Sequence, residues 1–570
     1  MIVEDNGRIH SGQTIVPDRP HTSQPFGTNP AGAPFELPFR ATDRRLDPMC
    51  KRTLLISGLA AGLLANRLVA AEVSTNAPSP SATVTNKEPA KESGKEKSKE
   101  PEEKLSESKH TVTIGGQTIS YNAAAGTILL RDEEDKATAS IFYIAYTRED
   151  VKEPATRPLT FSFNGGPGSS SVWLHLGLLG PRRVHLAEDG SAVPPPYRLE
   201  DNEFSLLDKT DLVFIDPVST GYSRAIPPKD AKKFHGLHED AASVAEFIRL
   251  YVTRHKRWNS PKLIIGESYG TTRAAALSGE LSQHLKMNVN GIMLVSTVLN
   301  FQTLDFSAGN DLAYILYLPS YTATAWFHKK LPADLQRGSL SDAVAAAEAF
   351  AQGEYGSALF KGSSLSADER RKAVEQYARL TGLPTNYVSR ADLRVPLGRF
   401  ASELLASEAR VVGRYDSRYK GYVRDRLANR MEQDPSYEAV ASAFASTFND
   451  YVRTELKYET DLPYEVLASV GPWNWDQSNG YVDVAETLAT ALTRNPFLKI
   501  HVSSGYYDLA TPLFATRYTF DHLSVDPALL SNLTLDTYTA GHMMYLNVPD
   551  LKKSKADLAR FIASCTTANE

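Results

Sequence analysis

Hydrophobic positions along the chain fall into two kinds of run. "PLTFSFNGGPG" (158–168), "DLVFID" (211–216), "PKLIIGES" (261–268), "GIMLVSTVL" (291–299) and "LKIHVSSGYYD" (498–508) are short, continuous and rich in β-branched or aromatic residues. Apolar runs without alternation mark strands buried on both faces, as in a parallel sheet. Between them, "EDAASVAEFIRLYVTRH" (239–255) and "TTRAAALSGELSQHL" (271–285) carry apolar residues at helical spacing. Strands alternating with helices predict an α/β fold with a doubly wound, mostly parallel sheet. Ahead of them lie two strand-like segments, "HTVTIGGQTISY" (110–121) and "ASIFYIAYT" (139–147), the first with ordinary alternation.

The alternation of strand and helix lapses from about 301 to 480. Helical patterns such as "LSDAVAAAEAFAQG", "ADERRKAVEQYARL" and "YEAVASAFASTFNDYV" dominate that span. It is expected to be a helical cap inserted between two parts of an α/β core, 110–300 and 481–570. Residues 72–109 include "KEPAKESGKEKSKEPEEK", nearly balanced in charge and almost without apolar residues, which predicts a disordered tether.

Upstream, "MCKRTLLISGLAAGLLANRLVAAE" (49–72) has a positive start at Lys51 and Arg52, a short apolar stretch and a small-residue Val69-Ala70-Ala71 site. This is the pattern of a signal peptide over 49–71, and the stretch is too short for a membrane span. Residues 1–48 have no periodicity and would be odd ahead of such a signal. The expectation is a true start at Met49, a mature end at Glu72, and an exported protein, periplasmic or secreted, with no stable membrane insertion after processing.

Composition narrows the function. Of 570 residues, 42% are apolar and 23% charged, the balance of an ordinary globular protein. A net charge of -5 and no basic patch exclude nucleic acid as an expected partner. Only Cys50 and Cys565 are present, so no intrachain disulfide framework supports the fold. No zinc or P-loop motif occurs, and "HGLHED" (235–240) reads as a solvated first helical turn, so neither metal nor organic cofactor is expected. Nothing in the sequence speaks to oligomeric state.

The chemistry centres on "KLIIGESYG" followed by "TTRAAAL": strand, sharp turn, helix around G-x-S-x-G. That context makes Ser268 a candidate nucleophile at a helix N-terminus, where backbone dipoles favour developing negative charge. A serine needs a base and the base an orienting acid, following in the order Ser, Asp, His. "SSGYYDLATP" offers Asp508 on the loop after what reads as the last strand, and "YTAGHMMYL" offers His542 after a glycine. Two backbone donors for an oxyanion are then Tyr269, next to the serine, and Gly166 in the glycine-rich loop of "FSFNGGPGSSSVW".

"NGGPGSSS", "DLVFIDPVSTGYS", "GESYG", "GYYDLATP" and "AGHMM", in this order, resemble the serine carboxypeptidases of peptidase family S10. The resemblance implies an α/β-hydrolase fold with a cap, and Ser268, Asp508 and His542 as the triad. It also implies that Glu267, beside the nucleophile, binds the substrate's terminal carboxylate together with Asn164 and a second glutamate. Ungapped counting puts that second glutamate's place at Leu178 in "HLGLLGP", with His175 the nearest polar residue. After His542 the family's Met-Val-Pro reads "MMY", so that Met543 alone matches and joins the substrate-binding residues. The loop's usual cysteine is Ser169.

The activity this implies is release of C-terminal residues from peptides with a free C-terminus. The rivals are an esterase, amidase or acyltransferase on the same serine machinery, which the loss of the carboxylate at Leu178 favours, and a non-catalytic binding protein on a hydrolase fold.

Overall fold

The computed structural model describes residues 101–425 and 431–566; the segments read as extension and signal, 1–48 and 49–71, lie outside them. Ten strands form one sheet. They are β1 (Leu105–Ile114), β2 (Gln117–Arg131), β3 (Ala137–Arg148), β4 (Leu159–Phe163), β5 (Asp211–Ile215), β6 (Arg224–Ala225), β7 (Lys262–Ser268), β8 (Gly291–Thr297), β9 (Lys499–Gly505) and β10 (Leu533–Tyr538). Their order is β1-β2-β3-β5-β4-β7-β8-β9-β10, with β6 on the side of β3. From β5 to β10 the neighbours are parallel, and β1 to β3 add an antiparallel flank. This is the α/β-hydrolase arrangement, a mixed sheet with helices on both faces.

The flank corrects the strand assignment twice. "HTVTIGGQTISY" is a hairpin: Gly115 and Gly116 turn at φ of 56° and 80°, the left-handed pair a two-residue turn requires. And β1 starts at Leu105, inside the stretch 72–109 read as tether. Its side chains are mostly polar and solvated, so the apolar pattern is blank there, yet every residue from Leu105 to Ile114 has a partner on β2. Backbone pairing orders this edge, with Val112 and Ile114 at its end buried in the core below.

The parallel strands are buried on both faces, and successive residues point into opposite cores. Leu263 and Ile265 of β7 join one apolar cluster, Ile264 the other. The second cluster is closed by α1 (Leu237–Arg254), α2 (Tyr269–Gln283) and, later in the chain, Ala485–Arg494. The first is closed by the C-terminal helix Val548–Thr566.

Between β8 and β9 lie α3 (Leu312–Phe327), α4 (Leu340–Phe350), α5 (Ala367–Thr381) and α6 (Pro435–Thr454). α4 and α5 each start with a reciprocal cap, Ser339 with Asp342 and Ser366 with Glu369, and α5 ends at left-handed Gly382. α3 to α5 share their own apolar cluster around Tyr321, Tyr355 and Tyr377. α6 does not: Val440, Phe444 and Phe448 pack into the sheet's first core beside Trp173 and Tyr222. The span 301–480 is thus divided between a helical layer of its own and the body of the sheet.

Candidate active site

β7 delivers Ser268 to the end of the sheet, and α2 begins at the next residue. Ser268 is held at φ 61°, ψ −130°, a strained conformation that persists only where its surroundings enforce it. Enforcement comes from close backbone approach: a Cβ at Gly266 would lie 2.1 Å from the Gly270 carbonyl, and one at Gly165 would lie 2.5 Å from the Tyr269 nitrogen. The glycine-rich loop therefore lies directly against the elbow, with Gly166 at φ +100°.

A buried charge pair, not anticipated from sequence, clamps the same junction. Arg273, 1% exposed, donates from Nε to Asp240 Oδ2 on α1 at 2.7 Å and from Nη1 to the Asn164 carbonyl. Tyr269 Oη donates to the same carboxylate oxygen at 3.1 Å. Arginine in the second turn of an apolar helix was the available signal, because a charge there needs a partner.

Asp508 follows β9 in a turn that its own side chain organises. Oδ1 accepts from the backbone of Ala510 (2.8 Å) and Thr511 (2.9 Å), and Oδ2 accepts from Thr511 Oγ1 at 2.8 Å. Oδ2 also faces His542 Nδ1 at 2.8 Å. His542 lies beyond a strand missed from sequence, β10: "LTLDTY" is half exposed and partly polar, so its run is neither continuous nor cleanly apolar. The strand that carries Asp508 is therefore not the last.

Residues 414–417 complete the histidine's setting from the inserted span. His542 N donates to the Tyr415 carbonyl at 2.6 Å, Gly541 N donates to Asp416 Oδ2 at 3.2 Å, and Leu509 N donates to the Arg414 carbonyl at 3.0 Å. The Tyr415 ring stacks on the imidazole, with centroids 4.9 Å apart. Burial works to lower the His542 pKa, but the Asp508 charge, its hydrogen bond and the Glu267 charge outweigh it and hold the imidazole above its ordinary value.

One cavity gathers the remaining predicted residues: Asn164, Gly166, Glu267, Ser268, His542 and Met543 all line it, with Trp173, Tyr415, Tyr437 and Leu467 as its apolar wall. Asp508 is fully buried behind His542. Glu267 is 4% exposed, and burial pushes its carboxyl up to about 7 against the opposing pull of His542 and Tyr545. Tyr545 Oη donates to Glu267 Oε2 at 2.6 Å. Asn164 Oδ1 accepts from Leu174 N at 3.1 Å; its buried Nδ2 makes no well-formed hydrogen bond, yet the amide bears on both Glu267 and Tyr545.

The alternatives on the other segment do not reach this carboxyl. Leu178 packs in the first apolar core, and His175 Nε2 lies 2.7 Å from Tyr146 Oη, with burial lowering its pKa to about 3. Ser169 Oγ accepts from Trp173 Nε1 at 3.0 Å.

The family model of serine carboxypeptidases matches residues 117–536. The chain belongs to the serine carboxypeptidase family. Among its relatives are the pheromone-processing carboxypeptidase KEX1 of Saccharomyces cerevisiae, 33% identical over 29% of this chain and 23% of that one, and serine carboxypeptidase-like 40 of Arabidopsis thaliana, 29% identical over 33% and 36%. The matched stretch thus spans about a quarter to a third of the curated relatives' length. The crystal structure of the prohormone-processing carboxypeptidase Kex1 from S. cerevisiae aligns over 77% of this chain and 91% of that one, with 19% identity and a TM-score of 0.49. Family membership places the α/β-hydrolase sheet in a known frame; the contacts of Tyr545 and of the Arg273–Asp240 pair belong to this chain's own structure.

Proposed function

We propose that this family member is an exported serine-type carboxypeptidase that acts through an acyl-enzyme. The observation that carries the reading is the convergence, in one cavity, of a strained serine, an imidazole backed by a buried aspartate, and a buried carboxyl of raised pKa.

Ser268 Oγ attacks the scissile carbonyl while His542 Nε2 takes its proton, and Asp508 holds the other ring nitrogen as N–H donor. Backbone N–H groups of Gly166 and Tyr269 receive the oxyanion. His542 then gives its proton to the departing amine, and water repeats the sequence on the acyl-enzyme. Glu267, protonated, and the Asn164 amide donate to the substrate's terminal carboxylate, and Met543 lies against the same end. The aromatic wall of Trp173, Tyr415 and Tyr437 suits apolar side chains near the cleaved bond.

The test compares blocked dipeptides as free acids and as C-terminal amides, with aryl esters alongside. Free acids should be cleaved best, and those with Phe or Leu near the cleaved bond better than those with Lys. Equal cleavage of acid and amide would favour the esterase or acyltransferase reading. Export is supported by the pattern at 49–71; N-terminal sequencing of protein from its native compartment should begin at or near Glu72, and a start at Met1 would sink it. Among the described residues no helix is long and apolar enough to cross a membrane.

A further inference from the structure

We infer that Tyr545 is the positioning residue for Glu267: its hydroxyl fixes which carboxyl oxygen carries the proton offered to a substrate carboxylate. This rests on the reading of Glu267 as the carboxylate receptor.

The contact is built from two directions. Tyr545 is 1% exposed and donates to Oε2 of Glu267 at 2.6 Å. Its ring occupies space that Gly177 leaves free: a Cβ there would lie 2.4 and 2.7 Å from Tyr545 Cε2 and Cδ2. The glycine beside Leu178 thus admits the phenol at the carboxyl that a second acid would otherwise have served. A phenol differs from an acid partner in one respect. It stays a donor across the working pH range, because burial and the Glu267 charge raise its pKa well above the ordinary value. With Oε2 accepting from Tyr545, the proton of neutral Glu267 falls to Oε1. The groups that bear on this carboxyl are His542, Tyr545, the Asn164 amide and Asp508, with Tyr415 from the inserted span.

Hydrogen bonding to a carboxylate favours its ionised form, so removing the hydroxyl raises the carboxyl's pKa while releasing its orientation. In Tyr545→Phe, the preference for free acid over amide should fall about tenfold, carried by KM rather than kcat. The pH above which free-acid kcat/KM declines should move upward. In a Glu267→Gln background, where no proton is left to direct, Tyr545→Phe should change the preference by less than about twofold. If the wild type discriminates and Tyr545→Phe keeps both the preference and the pH midpoint, Tyr545 is packing only and the inference fails. It fails equally if both substrates lose activity to the same extent, or if the effect persists in the Gln background. If the wild type itself cleaves acid and amide alike, the receptor reading of Glu267 has failed first and takes this one with it.

Discussion

A glutamate next to a nucleophilic serine is tolerable only if its charge can be turned off where the oxyanion forms. Burial does that here, with a pKa near 7, and couples Glu267 to His542, whose pKa its charge raises. In the proposed mechanism, cleavage of free acids uses protonated Glu267 and neutral His542, so its pH profile should be a narrow bell. In Glu267→Gln the descending limb should vanish, and the ascending limb should move to lower pH, because the imidazole loses a neighbouring negative charge. A kcat/KM profile unchanged by the substitution would show that neither limb belongs to this pair. At the same scale, Ser268→Ala should abolish both turnover and labelling by a fluorophosphonate. Asp508→Asn should cost on the order of 10³–10⁴-fold in kcat, because Nδ1 loses the acceptor that sets the tautomer. The sequence motifs named all these residues. Tyr545 was out of reach, since only the fold brings a residue three places past His542 onto the carboxyl beside Ser268.

Among the elements, the elbow depends on how α2 is anchored. Arg273 ties α1, α2 and the 164–168 loop through one guanidinium. Arg273→Met removes the cation paired with buried Asp240, leaving the carboxyl only the Tyr269 hydroxyl as side-chain partner, and should destabilise the protein by about 3–5 kcal/mol, read as the urea midpoint. Removing the acid as well, in Arg273→Met/Asp240→Leu, should recover much of that loss. If the double variant were as unstable as the single one, the cost would lie in packing and not in the orphaned charge. Strands β4, β5, β7, β8 and β9 were legible because burial on both faces leaves a continuous apolar run. The first half of β1 and all of β10 were not, because a largely polar, solvated strand leaves no apolar pattern.

At the scale of the whole molecule, four buried groups make large and opposing contributions to the acid response. Glu267 and Asp216, with pKa values raised to about 7 and 6, bind protons in the folded state before the unfolded chain does, so they add stability as pH falls through those values. His175 and His501, lowered to about 3 and 4, do the reverse: the unfolded chain takes up their protons below about 6.5 and stability falls. Between pH 7 and 5 the two His groups lose about 4 kcal/mol and the two acids regain a similar amount, at about 1.4 kcal/mol per unit. Below about pH 4 these two acids are saturated while His175 keeps losing, as do Glu369 and Glu408, whose hydrogen bonds from lysine hold their carboxyls down to about 2. Urea midpoints should therefore be nearly flat from pH 7 to 5 and drop below 4; a steep fall already at pH 5 would contradict the balance. None of this is visible in a sequence, where thirteen histidines look alike until burial distinguishes them.

The 414–417 segment, contributed by the insertion, holds the backbone of both His542 and the residue after Asp508. A chimaera that took residues 301–480 from a relative would then inherit foreign anchors for the imidazole along with its new pocket walls. Substrate range and turnover could not be traded separately by such transplants. Laboratory evolution confined to the other pocket walls from the insertion, Tyr437 and Leu467, leaving Tyr415 and Asp416 in place, is the route by which they could be uncoupled.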